Sequence, residues 1–339
     1  MFQHLLVPLD GSSRAEQALP VAARLARVSG AAITLLTVVD LAHEALLYQM
    51  AEPSLSSQII DQDLTEARAY LDRVAQRSDL AGVSLEKQVD LGNPALMILS
   101  RAEAETARPI DLIVMSSHGY TGIKRWLLGS VAEKIARHAP VPVLILREGE
   151  PLRTHARFDG MSALRALVPV DNSARAQDAI PPAAQLVAAL SEPEHGHLQL
   201  TQIVVPSEQA GATKREELLR EAEQNLEAIG QSIREGLVAQ VGPDLHLTIS
   251  WAVSIDSDIA EGIVRMAENG EQLTDARGAE RCDLIAMTTH GATGLHRWAV
   301  GSITERVLHA TRLPLLIVRP ADMIEKERRQ RASQGQASR

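Results

Sequence analysis

The sequence predicts an α/β protein of two tandem doubly wound domains, each with a five-stranded parallel sheet flanked by helices. Three observations carry that expectation. Two ordered blocks of the first half recur in the second. Within each half, short apolar runs alternate with longer amphipathic stretches, the pattern of strand and crossover helix. A polar segment containing proline and glycine separates the halves.

Residues 7–20 read VPLDGSSRAEQALP and residues 168–181 read VPVDNSARAQDAIP, which sets Pro8 against Pro169, Asp10 against Asp171 and Ser12 against Ser173. Residues 111–130, DLIVMSSHGYTGIKRWLLGS, recur as DLIAMTTHGATGLHRWAVGS at 283–302 and match even at Trp126 and Trp298. Two such matches at long range are the mark of duplication. The first blocks lie 161 residues apart and the second 172, so the second copy carries a net insertion of eleven, expected in the stretch GEQLTDARGAER that begins at Gly270.

In the first copy the apolar runs give strands at 4–9, 31–39, 83–89, 111–115 and 141–146, and the amphipathic stretches give helices from about residues 13, 57, 94 and 130. The second copy repeats the order over 163–319 and ends in a strand at 313–318. The expected domains are 1–147 and 162–320, joined by a linker at 148–161 and followed by a charged tail, 321–339, read as a short helix fading into disorder.

Composition narrows the function. At 339 residues each half can bury its own core, and with 45% hydrophobic but only 2% aromatic residues those cores must be aliphatic. Aromatic surfaces for stacking bases are not expected. The net charge of −9 argues against nucleic-acid and anionic-membrane binding, and leaves room for a small phosphorylated ligand. The opening MFQHLLVPLDGSS lacks a basic start and reads as a strand rather than a signal peptide. No apolar run approaches the roughly 20 residues of a membrane span. The one cysteine, Cys282, suits a reducing compartment, so the expected location is cytoplasmic.

In an open α/β sheet, ligands bind at the carboxyl ends of the strands near the point where strand order reverses. One piece placed there is the turn Pro8-Leu9-Asp10-Gly11-Ser12, where Asp10 offers a carboxylate suited to ribose hydroxyls. The same Asp10 and Ser12 could simply turn the chain and cap the next helix. The next piece runs from Met115 and Ser116 through His118, Gly119 and Gly122 to Gly129 and Ser130, with Thr288, Gly291, Gly294, Gly301 and Ser302 at the matching places in the second copy. Glycines let backbone N–H groups approach phosphate oxygens, and a helix start adds unsatisfied donors. Residues 130–133 (SVAE) and 302–305 (SITE) also read as capping boxes, which gives the serines a structural role compatible with the first. Lys124, Arg125, His296 and Arg297 could add charge to these loops or merely solvate them.

No GxxxxGK[ST], no GxGxxG after a first strand and no GxSxG is present, which removes the P-loop, the common dinucleotide fold and the serine hydrolase elbow. His195 and His197 would share one side of a strand, but without a third ligand no metal site is expected. His118 and His290 recur at one place, as loop histidines bonding backbone or as catalytic groups.

VPLDGS, DLIVM, SSHGYTG and WLLGSVAEKIARHAPVPVLIL together resemble the universal stress protein family, over nearly the whole chain and as two tandem domains. ATP-binding members carry G-x2-G-x9-G-[ST]. Gly119, nine residues, Gly129 and Ser130 fit it, as do Gly291, nine residues, Gly301 and Ser302, while Ser116 and Thr288 replace the leading glycine. The resemblance implies that Asp10, beside Pro8 and Leu9, holds the ribose. It assigns adenine to the backbone of Val39, next to Val38, and the phosphates to Gly119, Gly129, Ser130 and Val131. The second copy, with Pro169 and Asp171, departs further, because Asn172 replaces Gly11 and WAVSIDSDIAEGIV lacks the glycine of VDLGNPALMIL. The first copy is therefore the favoured site.

What the resemblance implies is an ATP-binding stress-response protein that binds and senses rather than catalyses, using ATP with or without Mg²⁺ and no intrinsic metal. The alternatives are a nucleotide-independent interaction or scaffold protein and a slow Mg-dependent ATPase. Family members commonly pair through their last strands. A tandem chain could satisfy that pairing internally, 141–146 against 313–318, or form a homodimer.

Overall fold

The computed structural model describes residues 1–40, 53–117, 128–148, 152, 164–207, 211–241, 243–270, 281–291 and 301–337. The chain divides into two compact units, Met1–Thr154 and His155–Arg339. Most of the expected linker, together with His118, Gly119, Gly122, Lys124, Arg125, Trp126, Gly294, His296, Arg297 and Trp298, lies outside the described residues.

Unit 1 contains β1 (His4–Pro8), α1 (Ala18–Ser29), β2 (Ala32–Val39), α2 (Pro53–Ala75), β3 (Ser84–Leu91), α3 (Pro94–Glu103), β4 (Leu112–Ser116), α4 (Ser130–His138) and β5 (Val143–Leu146). Its strands run in the order β3-β2-β1-β4-β5, and every pair within the unit is parallel. The order reverses beside β1, which makes the ends of β1 and β4 the switch point. Leu5, Leu6, Ile33, Leu35, Leu36, Leu112 and Ile113 are wholly buried. Such near-continuous apolar runs are what a parallel sheet covered on both faces requires.

Local chemistry sets the boundaries. Gly30, at φ +69° in the left-handed region, ends α1 by returning its N–H to Ala26 O. Asn93 caps α3 through Leu96 N at 3.2 Å, and Pro94 occupies the first helical position. The first helix, expected from about residue 13, opens as a 3-10 turn at Ala15–Gln17, with Ser12 Oγ accepting from Ala15 N at 3.1 Å. Asp111, expected to start β4, is a clamp on β1 instead, since its carboxylate accepts from Gln3 N at 2.7 Å and His4 N at 3.1 Å. Burial pushes that carboxyl above its ordinary pKa, against the pull of the two backbone donors. Asp283 repeats the clamp on Arg165 N at 2.9 Å.

Unit 2 follows with β6 (Arg165–Pro169), α5 (Ala174–Gln177), α6 (Ile180–Ser191), β7 (Gly196–Val204), α7 (Ala212–Arg234), β8 (Leu247–Ile255), α8 (Ile259–Asn269), β9 (Leu284–Thr288), α9 (Ser302–Ala310), β10 (Leu315–Val318) and α10 (Ala321–Ala337). Its strands take the matching order β8-β7-β6-β9-β10, all parallel.

Register spreads the insertion over several places rather than one. His4 pairs with Ala32 and Arg165 with His197, so the offset between copies has grown from 161 to 165 by the second strand. The third strands are 164 apart and the caps Asn93 and Asp258 165, and the remaining growth to 172 falls between those caps and the fourth strands, where Leu5 pairs with Leu112 and Ala166 with Leu284. The tail is helical over Ala321–Ala337, and its start is tied down: Ala321 N donates to Asp178 Oδ2 at 2.9 Å, and Arg175 pairs with Asp322 at 2.7 Å.

Candidate functional site

The switch point of unit 1 opens into a cleft of about 460 Å³. The end of β1 and its turn supply Pro8, Leu9 and Asp10; the end of β2 supplies Leu36, Val38, Val39 and Asp40; β4 supplies Met115, Ser116 and Ser117; and the start of α4 supplies Gly129, Ser130, Val131 and Ala132. Ala15, Asp63 of α2, and Pro94 and Ile98 of α3 complete the wall. Every unit 1 candidate within the described residues therefore lies on one cavity, whereas His118, Gly119 and Gly122 fall outside those residues.

Asp10 stands at the mouth, exposed. Its Oδ1 accepts from Ser12 N at 3.0 Å and from Ser12 Oγ at 2.6 Å, an Asx turn made possible by Gly11 at φ +81°. Asp10 thus both makes the turn and lines the cleft, while Ser12 serves the turn and the helix entry.

The opposite wall is a helix start. Gly129 N donates to Ser117 O at 2.8 Å, and Glu133 N returns to Gly129 O at 2.9 Å, which fixes the first turn of α4 against the end of β4. Gly129, not Ser130, holds the capping position, and it makes no side-chain cap bond. The capping-box expectation for Ser130 is corrected accordingly: Ser130 is the first helical residue and is exposed in the cleft. Ser302 likewise follows the cap Gly301. The physical reason is the same in both copies, since the strand-to-helix bond of the glycine already sets the helix entry.

At the far end, Val39 O accepts from Gly92 N at 2.9 Å. Gly92 has φ +137°, a conformation that L side chains rarely adopt, because it leads directly into the cap Asn93. Just behind it, Arg101 grips Asp90 at 2.8 and 2.7 Å and holds that carboxyl below the usual carboxylate range.

Asp40, Asp63, Pro94 and Ile98 line the cleft without having been singled out from the sequence. Asp40 directly follows Val39 at a strand end, which was a usable signal. Nothing local marks Asp63, which reaches the wall from the middle of a long helix.

Unit 2 has the same parts in a different arrangement. Asp171 Oδ1 accepts from Ser173 N at 2.9 Å and also from Ser173 Oγ. Asn172 is outside the left-handed region that Gly11 adopts. Where unit 1 has Gly92, Asp256 donates its N–H to Val204 O at 3.1 Å. An extra residue, Ser257, then precedes the cap Asp258, so no left-handed glycine is needed. The carboxylate of Asp256 pairs with Arg265 at 2.7 Å, and a Cβ on Gly262 would lie 3.1 Å from Asp256 Cβ. A Cβ on Gly301 would lie 3.1 Å from Thr289 O, so close backbone approach accounts for that glycine.

Among the described residues, no cluster of three or more His, Cys, Asp or Glu side chains is placed to hold a metal. His197 Nε2 meets Ser250 Oγ at 2.6 Å and the Arg165 guanidinium at 3.1 Å, while the exposed His195 ring lies 5.4 Å from that of His246. Among those residues no helix is long and apolar enough to cross a membrane.

The universal stress protein family model matches residues 1–147 and 164–319. A universal stress protein of Methanocaldococcus jannaschii is 32% identical over 148 residues, covering 44% of this chain and 84% of that protein. The crystal structure of a universal stress protein from Archaeoglobus fulgidus superposes with a TM-score of 0.61 at 21% identity, covering 93% of this chain and 98% of that one. A universal stress protein structure from Pseudomonas aeruginosa gives 0.58 at 19%, with 96% of each chain covered. With both halves matched by the same family model and the duplicated fold shared along its length, this chain belongs to the universal stress protein family.

Proposed function

We propose that unit 1 binds an adenine nucleotide, ATP in the first instance, and that the protein retains and senses it rather than turning it over. The observation that carries this reading is the cleft itself. It joins the Asp10 turn, the end of β2 and the first turn of α4 in one cavity of about 460 Å³, within the usual range for small-ligand sites.

In this reading the ribose hydroxyls meet Asp10, which keeps one carboxylate oxygen in its own turn. The adenine edge meets the backbone of Val39, whose carbonyl has a second lone pair beyond the bond from Gly92. The phosphates sit over Gly129, Ser130 and Val131, where the N–H groups of the helix start and its dipole favour negative charge. The cleft wall carries the carboxylates of Asp10, Asp40 and Asp63, and no Lys, Arg or His among the described lining residues. A triphosphate therefore needs a counter-charge, for which Mg²⁺ entering with the nucleotide is the simplest source.

Equilibrium dialysis of nucleotide-free protein against labelled Mg-ATP tests the proposal. Label retained by the wild type above a Ser130→Asp control is the expected result. Equal retention by the two at millimolar ATP would overturn it and favour the nucleotide-independent interaction protein.

A further inference from the structure

Unit 2 keeps the aspartate and the glycine of the nucleotide motif but packs one against the other. A Cβ built on Gly291 would lie 2.3 Å from Asp171 Oδ2 and 3.3 Å from Asp171 Cγ. The carboxylate of Asp171 thus rests directly on the α-carbon of the first glycine of the loop. A phosphate oxygen approaching the α-carbon from that side would meet the carboxylate first. We infer that Asp171 closes unit 2 from within, so that the chain holds a single nucleotide, the one in unit 1; the count of one rests on the nucleotide reading of unit 1.

Several observations around Asp171 point the same way. Asp171 is half-buried where Asp10 is exposed, and its Oδ1 is held by Ser173 N at 2.9 Å, so the side chain cannot swing aside without giving up its turn. Thr288, at the place of the cleft-lining Ser116, is buried and donates its hydroxyl to His290 O at 3.0 Å. Thr304 stands where Ala132 lines the unit 1 cleft, and its hydroxyl donates to Thr288 O at 2.8 Å. One side-chain bond therefore ties the helix start of unit 2 to the strand end and a second ties the strand end to the loop that leaves it, at positions that in unit 1 line the cavity. An incoming phosphate would meet a fixed carboxylate at contact distance, where like charge and excluded volume both oppose it. Gly291 then has a structural reason to be glycine that involves no ligand: any side chain there displaces Asp171.

Two measurements on the full chain test the inference. Native mass spectrometry with Mg-ATP should show one nucleotide per wild-type chain, with its affinity lowered in Ser130→Asp. Two nucleotides per wild-type chain would overturn the closure of unit 2 while leaving the unit 1 reading intact. None would overturn the unit 1 reading and the count of one with it. One nucleotide whose affinity ignores Ser130→Asp would place the ligand outside the α4 start and overturn both. Independently of any ligand, thermal melting reads the contact itself. Gly291→Ala should lower Tm in the wild-type background and have no further effect on Asp171→Ala. Equal losses in both backgrounds would remove the contact on which the closure rests.

Discussion

Replacing Ser130 by aspartate separates the ligand role of the α4 start from its structural role. Ser130 is the first residue of the helix, exposed, and not the capping residue, which is Gly129. An aspartate there complements the helix dipole by about 0.3–1 kcal/mol, so folding stability should hold or rise slightly. A bound phosphate would face the new carboxylate at roughly 4 Å. Two unit charges at that distance repel by about 1 kcal/mol in bulk water and about 4 kcal/mol at an effective dielectric of about 20. A cleft open at the Asp10 mouth belongs between those limits, and about 2 kcal/mol corresponds to roughly a 30-fold loss of affinity. Competition against a fluorescent nucleotide measures the loss, and a melting curve of each protein verifies the fold. Ser130→Ala, which removes only a hydroxyl, should lose far less than the aspartate. Added salt should narrow the gap between the two variants. An aspartate variant that binds within about threefold of wild type at low salt would refute the placement of phosphate over this helix.

Gly92→Ala forces a side chain into φ +137° and should cost about 1–3 kcal/mol of unit 1 stability by urea unfolding; the equivalent position in unit 2 already carries Asp256 without that strain. Asp111→Ala strips the carboxylate from Gln3 N and His4 N and should cost about 2 kcal/mol in the same assay, less than two full charged bonds because burial already disfavours the ionised form. Asp90 and Asp79 are held below the usual carboxylate range by Arg101 and Arg77. Their stabilisation is therefore present above the unfolded value of about 4 and is lost as pH falls through their depressed folded values, so wild-type stability should drop on acidification and Asp90→Asn should show a shallower drop. Phosphate release from Mg-ATP by the wild type should not exceed that of Ser130→Asp, and a clear excess would revive the slow ATPase.

The inner strands were legible because a parallel sheet covered on both faces needs unbroken apolar runs, unlike the polar edge strand β3, and the loss at strand ends has local causes. Asp111 looks like the first residue of β4, but its side chain is spent on β1. Pro142 precedes β5 and supplies a carbonyl to Ile113 N without an N–H to return, so the strand begins at Val143. The insertion was misplaced in part because an offset read from two motifs cannot reveal growth between them. The cleft wall was legible where residues sit at strand ends, as with Asp10 and Ser116, whereas Val39 entered only through the family resemblance. It was not legible for Asp63 and Ile98, which reach it through helix packing. The capping box of Ser130 misled because Ser-x-x-Glu describes spacing, whereas the bond from Gly129 N to Ser117 O shifts the cap by one residue. In unit 2, Asp171 and Gly291 read from the sequence as parts of a possible second site, and their close approach, on which the proposed closure rests, has no signal in the sequence.

The central claim is that the switch-point cleft of unit 1 takes an adenine nucleotide. Isothermal titration of nucleotide-free protein with Mg-ATP measures it directly. The account predicts a saturable binding heat at one site per chain, weakened in Ser130→Asp. No heat, together with no displacement of a fluorescent nucleotide at millimolar ATP, would contradict it.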